Sequence, residues 1–225
     1  MAFLSAIFYF LNQHSLLSMP LILAVGFGLM SLVVRWRKNP GLYVWMVPVF
    51  IFSMVNVFTS SILNGLFLNA VGTYGSAVIT QQRETNSRLN EQAVWAYDVV
   101  MKTADGRDVK TGFDTMSATI YPWTNTIYIP PMGERFVVKY VPGFEKNIAV
   151  MRLESDYGKA YIVAVAKSEV SAKQRQLEAS PDNPEFKAEY RAALQAFLDD
   201  YANNADPHTL RLYRAELQRL EQAGL

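Results

Sequence analysis

The sequence predicts a membrane α plus β chain: two transmembrane helices, then a small antiparallel β barrel or sandwich, then a C-terminal amphipathic helical region. Three observations carry that prediction. Two long uncharged runs flank a short basic loop, the middle third is rich in β-branched and aromatic residues broken by turn signals, and the last third spaces its apolar residues as helices do. The resulting division is an apolar interfacial segment over 1–15, a transmembrane helical hairpin over 16–72, a small antiparallel β domain over 73–154 and a helical region over 155–225.

Leu16 to Val34 contains no charge and approaches the ~20 residues a helix needs to cross ~30 Å of hydrocarbon. Gly41 to Gly72 is again uncharged and longer than a minimal span, which leaves room for tilt. Between them stand Arg35, Arg37 and Lys38, with Trp36, Tyr43 and Trp45 around them. Cations in a short loop hold it on the cytoplasmic side, and Trp and Tyr favour the interface, so the expected topology is two-pass, with the β domain and C-terminus periplasmic. A cleavable signal peptide fits poorly, because no basic region precedes the first run and a second follows at once. Residues 1–15 are too short to span and too apolar for a free tail; they are expected to lie in the outer interface or packed beneath neighbours.

The chain of 225 residues is 51% hydrophobic with net charge +1, an average that hides this division. All 20 acidic residues follow position 80, whereas the first eighty positions carry only the three loop cations. Without cysteine there are no disulfides and no thiolate metal sites, which suits cytosol and envelope alike. The two histidines, His14 and His208, do not make a ligand set by themselves.

In the second run Ser53, Asn56, Ser60 and Asn64 share one helical face, with Ser61, Gly65, Asn69 and Gly72 on the adjoining strip. Amides facing lipid are costly, so the strip predicts a helix interface. Ala24 and Gly28, with Gly26 beside them, offer a matching small face on the first run. Packing within the hairpin explains the small residues; three asparagines favour self-association or docking onto another membrane subunit.

From Tyr74 the pattern is strand-like. Asp105-Gly106 marks a hairpin between Val94–Lys102 and Val109–Phe113, and further short strands follow in ATIYPW, TIYIPPMGERFVVKYVPG and NIAVMRLE. Aromatics are plentiful, but the charges around them are mixed and no basic face emerges, so nucleic acid is not an expected partner. Trp123 and Tyr128 fall in a proline-rich loop suited to contact with a membrane surface or a partner.

The stretches YGSAVIT, VWAYDVVMKTADGRDVKTG and PPMGERFVVKYVPGFEKNIAV resemble a group of uncharacterised bacterial membrane proteins. Their small β domain ends in a glycine, a V-x-V-x-Y strand and a proline-containing turn. The matching positions are Gly133, Val137, Val138, Lys139, Tyr140 and Pro142; the second proline usual in that turn is missing from GFEKNIAV. The resemblance implies a membrane-anchored envelope domain and carries over no functional residue.

In the last third, Asn183-Pro184 and Asp206-Pro207 each open an amphipathic helix. Leu210, Tyr213, Leu217 and Leu220 form a stripe that either covers the β domain or docks a protein. The start of the helical region is not legible, because Tyr161–Val165 is strand-like and its continuation helix-like. The sequence holds no phosphate-cradling glycine loop, nucleophile elbow, paired-histidine motif or cysteine nucleophile, and the four-residue spacing of Ser155 and Lys159 is best explained by chance. No cofactor and no catalytic residue is expected. The function expected is that of a non-enzymatic subunit or adapter of a bacterial inner-membrane assembly, in contact with the bilayer and with itself or other membrane subunits. The alternative is a membrane-bound immunity or channel-regulating protein that binds a toxin or transport partner.

Overall fold

The computed structural model describes residues 1–124 and 126–222. The chain divides after Ser155 into two units. The first opens with three helices, α1 (Ala2–Gln13), α2 (Ser15–Arg37) and α3 (Met46–Val71). Apolar runs of this length bury their backbone polar groups most economically in intrahelical hydrogen bonds. Both α2 and α3 are long and apolar enough to cross a membrane, yet only 6% of the apolar window of α2 and 17% of that in Pro40–Val71 is buried. Lys38, left-handed at φ 51°, ends α2. Asn39 then caps a 3-10 turn over Pro40–Trp45, its side chain accepting from the Gly41 amide at 3.0 Å. Arg35, Arg37 and Lys38 are all exposed, with the Arg37 guanidinium 4.8 Å from the Trp36 ring centre.

Cross-helix contacts fix the packing. Ser31 meets Tyr43 at 3.1 Å, Asn56 donates to Ser18, Ser60 donates to Asn12, and Phe8 stacks on Phe67 at 4.5 Å. α1 and α2 therefore run in succession along one face of α3, antiparallel to it. Of the two positions expected for the N-terminal segment, the structure has the second: α1 is packed beneath its neighbours, with Ser5 and Asn12 buried and Phe3, Ile7 and Phe10 outward.

The small residues of the first run divide between two faces. A Cβ on Gly26 would lie 2.7 Å from Val49 Cγ1, so Gly26 sits where α2 and α3 cross. Ala24 and Gly28 are exposed, and nothing lies within 4 Å of a Cβ placed on Gly28. The helix register turns the i, i+4 pair outward and its neighbour inward.

The strands are β1 (Thr73–Leu89), β2 (Gln92–Lys102), β3 (Asp108–Asp114), β4 (Ile120–Tyr121), β5 (Arg135–Val141) and β6 (Phe144–Met151). They form one mixed sheet in the order β3-β2-β1-β5-β6-β4. This corrects the expected antiparallel barrel or sandwich: the sheet is open, with β3 and β4 as its edges. The physical reason lies in β4, which pairs parallel with β6 through Ile120↔Val150 and Tyr121↔Met151 and takes the position a closing strand would need. Side chains still cross from β3 to β6, as Thr111 Oγ1 donates to the Lys146 carbonyl at 2.7 Å.

Alternation then sorts the residues. Ala77, Ile79, Val99, Met101, Phe136, Val138, Tyr140, Ile148 and Val150 occupy matched rungs and are buried on one face. On the other face Val141 and Ala149 pack with Leu68 of α3. Past the sheet, β1 and β2 continue as a two-stranded ribbon to Asn90 and Glu91, both with positive φ, the backbone a tight hairpin turn requires.

The second unit is helical from its first residues: α4 (Asp156–Ala179), α5 (Pro184–Tyr201) and α6 (Pro207–Gln222). The strand-like Tyr161–Val165 belongs to α4, since burial on one helical stripe outweighs local β preference. Val163, Val170, Tyr190, Leu194, Phe197, Leu210 and Leu220 form its core.

The α2–α3 crossing yields a direct expectation. Gly26→Val should lower the melting temperature of the purified protein by forcing Val49 aside, at a cost of about 1–3 kcal/mol, whereas Gly28→Val should leave it unchanged.

Candidate functional site

The most developed polar feature is a seam of amides and hydroxyls along the inward face of α3. Ser53, Asn56, Ser60 and Asn64 are all buried. Ser53 Oγ donates to the Phe50 carbonyl at 2.7 Å, and Asn56 Nδ2 donates at 2.8 Å to Ser18 Oγ, which itself donates to the Ser15 carbonyl. One turn further, Ser60 Oγ donates to Asn12 Oδ1 at 3.4 Å. Asn12 Nδ2 then reaches the loop after β3, donating to the Ser117 carbonyl at 2.7 Å and to Thr119 Oγ1 at 3.0 Å.

Asn64 is the centre of the seam. Its amide nitrogen donates to Thr119 Oγ1 at 2.9 Å and to Asn147 Oδ1 at 2.8 Å, and Asn147 Nδ2 returns a bond to Asn64 Oδ1 at 2.8 Å. Asn147 Nδ2 also donates to the carbonyl and hydroxyl oxygens of Ser5, each at 3.1 Å. Helices α1 and α3 and strand β6 are thus joined through side-chain amides. Unsatisfied, such groups would each cost about 1–3 kcal/mol; bonded, each is worth about 1 kcal/mol.

The adjoining strip has separate duties. A Cβ on Gly65 would lie 3.4 Å from Thr119 Cγ2, so the loop before β4 rests against it. Asn69, in the last turn of α3, accepts Lys139 Nζ on both its backbone carbonyl, at 2.8 Å, and its side-chain oxygen, at 3.1 Å. A cation at a helix C-terminus meets the negative end of the helix dipole, and the same ammonium lies 4.6 Å from the Tyr74 ring centre. Ser61 faces a hollow of about 60 Å³ shared with Trp123 and Ile127.

The strip that the sequence suggested for a partner subunit is therefore occupied from within the chain. Among the groups that fill it, Ser5, Asn12, Thr119 and Asn147 lie outside both apolar runs. Asn12, after a largely apolar run, is a visible signal; Asn147, within strand β6, gives none.

Trp123 is exposed and Tyr128 half-buried. The Trp123 loop is held by Arg152, a buried residue whose Nη1 donates to Thr124 Oγ1 at 2.7 Å. Elsewhere in this unit, a groove of about 770 Å³ is lined by Tyr9, Thr80, Asp98, Lys110, Thr111 and Lys146, among others; Asp98 is paired with Arg83 at 2.6 Å. Ser155 Oγ accepts from the Val137 amide and donates to the Met151 carbonyl, fastening backbone rather than facing a base. Lys159 pairs with Asp156 at 3.5 Å. Among the described residues no group of three or more His, Asp or Glu side chains could hold a metal ion.

In the second unit the α6 stripe turns inward: Leu210 and Leu220 are core residues, and Tyr213 and Leu217 pack against them. That corrects the free docking stripe, because α5 presents Tyr190, Leu194 and Phe197 to the same interior. Asn183 caps α5 by accepting from the Glu185 and Phe186 amides. Asp206 caps α6 through the Thr209 amide and binds Lys167 at 2.7 Å. Lys167 first, then Thr209, holds the Asp206 carboxyl well below the usual carboxylate range. Burial pushes the Tyr190 phenol up to about 12, with Glu216 and Tyr213 adding to it.

Comparison with protein-family models, curated proteins and solved structures gave no match.

Two expectations follow from this geometry. Asn64→Leu and Asn147→Leu should each lower stability by about 1–3 kcal/mol by stranding the other amide. The double replacement should cost clearly less than the two together, read as a coupling in a thermal or denaturant double-mutant cycle. For Tyr190, a phenol neutral to a higher pH when folded than when unfolded lends stability that is complete below about pH 10 and lost between about 10 and 12. Helical circular dichroism should fall over that window, and Tyr190→Phe should flatten the fall.

Proposed function

We propose that this chain is a non-enzymatic subunit or adapter of a bacterial inner-membrane assembly. In this reading α2 and α3 span the bilayer, Arg35, Arg37 and Lys38 face the cytoplasm, and the sheet and the C-terminal helices lie on the periplasmic side. The observation that carries it is the contrast between two surfaces of one helix pair. The outward surface is apolar and almost wholly uncovered, which suits lipid, while the polar face is consumed by contacts to α1 and the sheet. A helix pair of that kind is an anchor that holds a folded body, since its amides are not free to line a pore.

With the polar seam used internally, partner contacts fall to the extramembrane surfaces and to the outward faces of the spans. This departs from the expectation that the asparagine strip itself recruits a second subunit. Solubilisation in mild detergent followed by native mass spectrometry should reveal a complex of defined stoichiometry. A chain that emerges alone at every detergent and lipid condition counts against the adapter reading. Alkaline phosphatase fused after Tyr74 should be active and a cytosolic reporter at the same point inactive; the reverse pattern would invert the orientation.

A further inference from the structure

Resting on the membrane reading above, the structure assigns a lipid-contacting role to the sheet's own loops: Met116, Trp123 and Ile127 form the second interfacial belt that α2 and α3 lack. At the cytoplasmic end of the proposed spans, Trp36, Tyr43 and Trp45 mark one interface. At the other end neither α2 nor α3 carries a Trp or Tyr. The loops supply the missing aromatic.

Their level along the helices comes from the residues they share hollows with. Ser61 of α3 lines one small hollow with Met116, Trp123 and Ile127, and Leu16 and Leu17 of α2 line another, of about 240 Å³, with Met116. From Leu17 to Trp36 the helix advances roughly 28 Å, and from Trp45 to Ser61 roughly 24 Å, at about 1.5 Å per residue. Both lengths approach the ~30 Å of a hydrocarbon core. Between the two levels the outward residues are apolar, among them Val25 and Leu32 on α2 and Phe50 and Phe58 on α3.

The three loop residues are 48%, 56% and 53% exposed, an apolar cluster continuous with the uncovered surface of the spans. Lipid is the occupant that both the spacing and that continuity select, because a surface one hydrocarbon thickness from the first belt coincides with the opposite headgroup boundary. Arg152, through Thr124, holds the loop in place, so the contact fixes the tilt of the sheet over the membrane rather than adding a loose foot.

The absence of cysteine makes the test clean. Single Met116→Cys, Ile127→Cys and Phe58→Cys variants, each altering an exposed side chain, are nitroxide-labelled and placed in phosphatidylethanolamine/phosphatidylglycerol nanodiscs. Collision with oxygen, which concentrates in lipid, is compared with collision with a water-soluble nickel chelate. All three labels should favour oxygen several-fold, with positions 116 and 127 reading shallower than 58. If 58 favours oxygen while 116 and 127 favour nickel, or are shielded from both as a protein contact would make them, the loop assignment fails and the spans stand. If 58 favours nickel as well, the membrane reading falls with it.

Discussion

A carboxamide removed from water must find partners for both its oxygen and its nitrogen, and this chain commits several of them to a helix whose surroundings are otherwise apolar. The solution is to bring the partners to the helix. Asn56 finds Ser18 on α2, Ser60 finds Asn12 on α1, and Asn64 finds Thr119 and Asn147 from the sheet. Each bond is ordinary in strength, but together they allow only one register of α1 and α2 along α3. A shift of a single residue would carry the whole strip off its acceptors.

The same requirement unites helix and sheet into one body. Apolar contact between Leu68, Val141 and Ala149 supplies area without direction. Direction comes from the reciprocal Asn64–Asn147 pair and from Lys139, which binds the last turn of α3 just before the chain enters β1. The strand that leaves the helix is therefore held at its root. Such a junction transmits orientation from helix to sheet, whereas a glycine- or proline-rich linker would not.

Legibility in the sequence followed the physics of each element. Both long apolar helices were visible, since hydropathy and length require no knowledge of neighbours. So were the Asp105-Gly106 hairpin and the capped helices at Pro184 and Pro207, each announced by local turn or cap chemistry. The open edge of the sheet was hidden, because β4 is a two-residue strand inside a proline-rich loop and only pairing to β6 defines it. The ribbon turn at Asn90-Glu91 was missed for want of a glycine. In the seam, sequence spacing placed the four polar residues on one face of α3, but not what they face; Ser5 and Asn147 are 142 positions apart and meet only through the tertiary fold. Leu210 and Leu220 show the same limit, as an apolar stripe does not reveal which helix will cover it.

That separation along the chain has a consequence for biogenesis. Ser5, Asn12 and Asn64 leave the ribosome well before Asn147, which follows Asn64 by 83 positions. Until β6 has been translated, the inner amides of the helices depend on one another or on water for hydrogen bonds. Packing of the helices is thereby tied to completion of the sheet, since a chain that stops before residue 147 leaves Asn64 without its reciprocal amide partner.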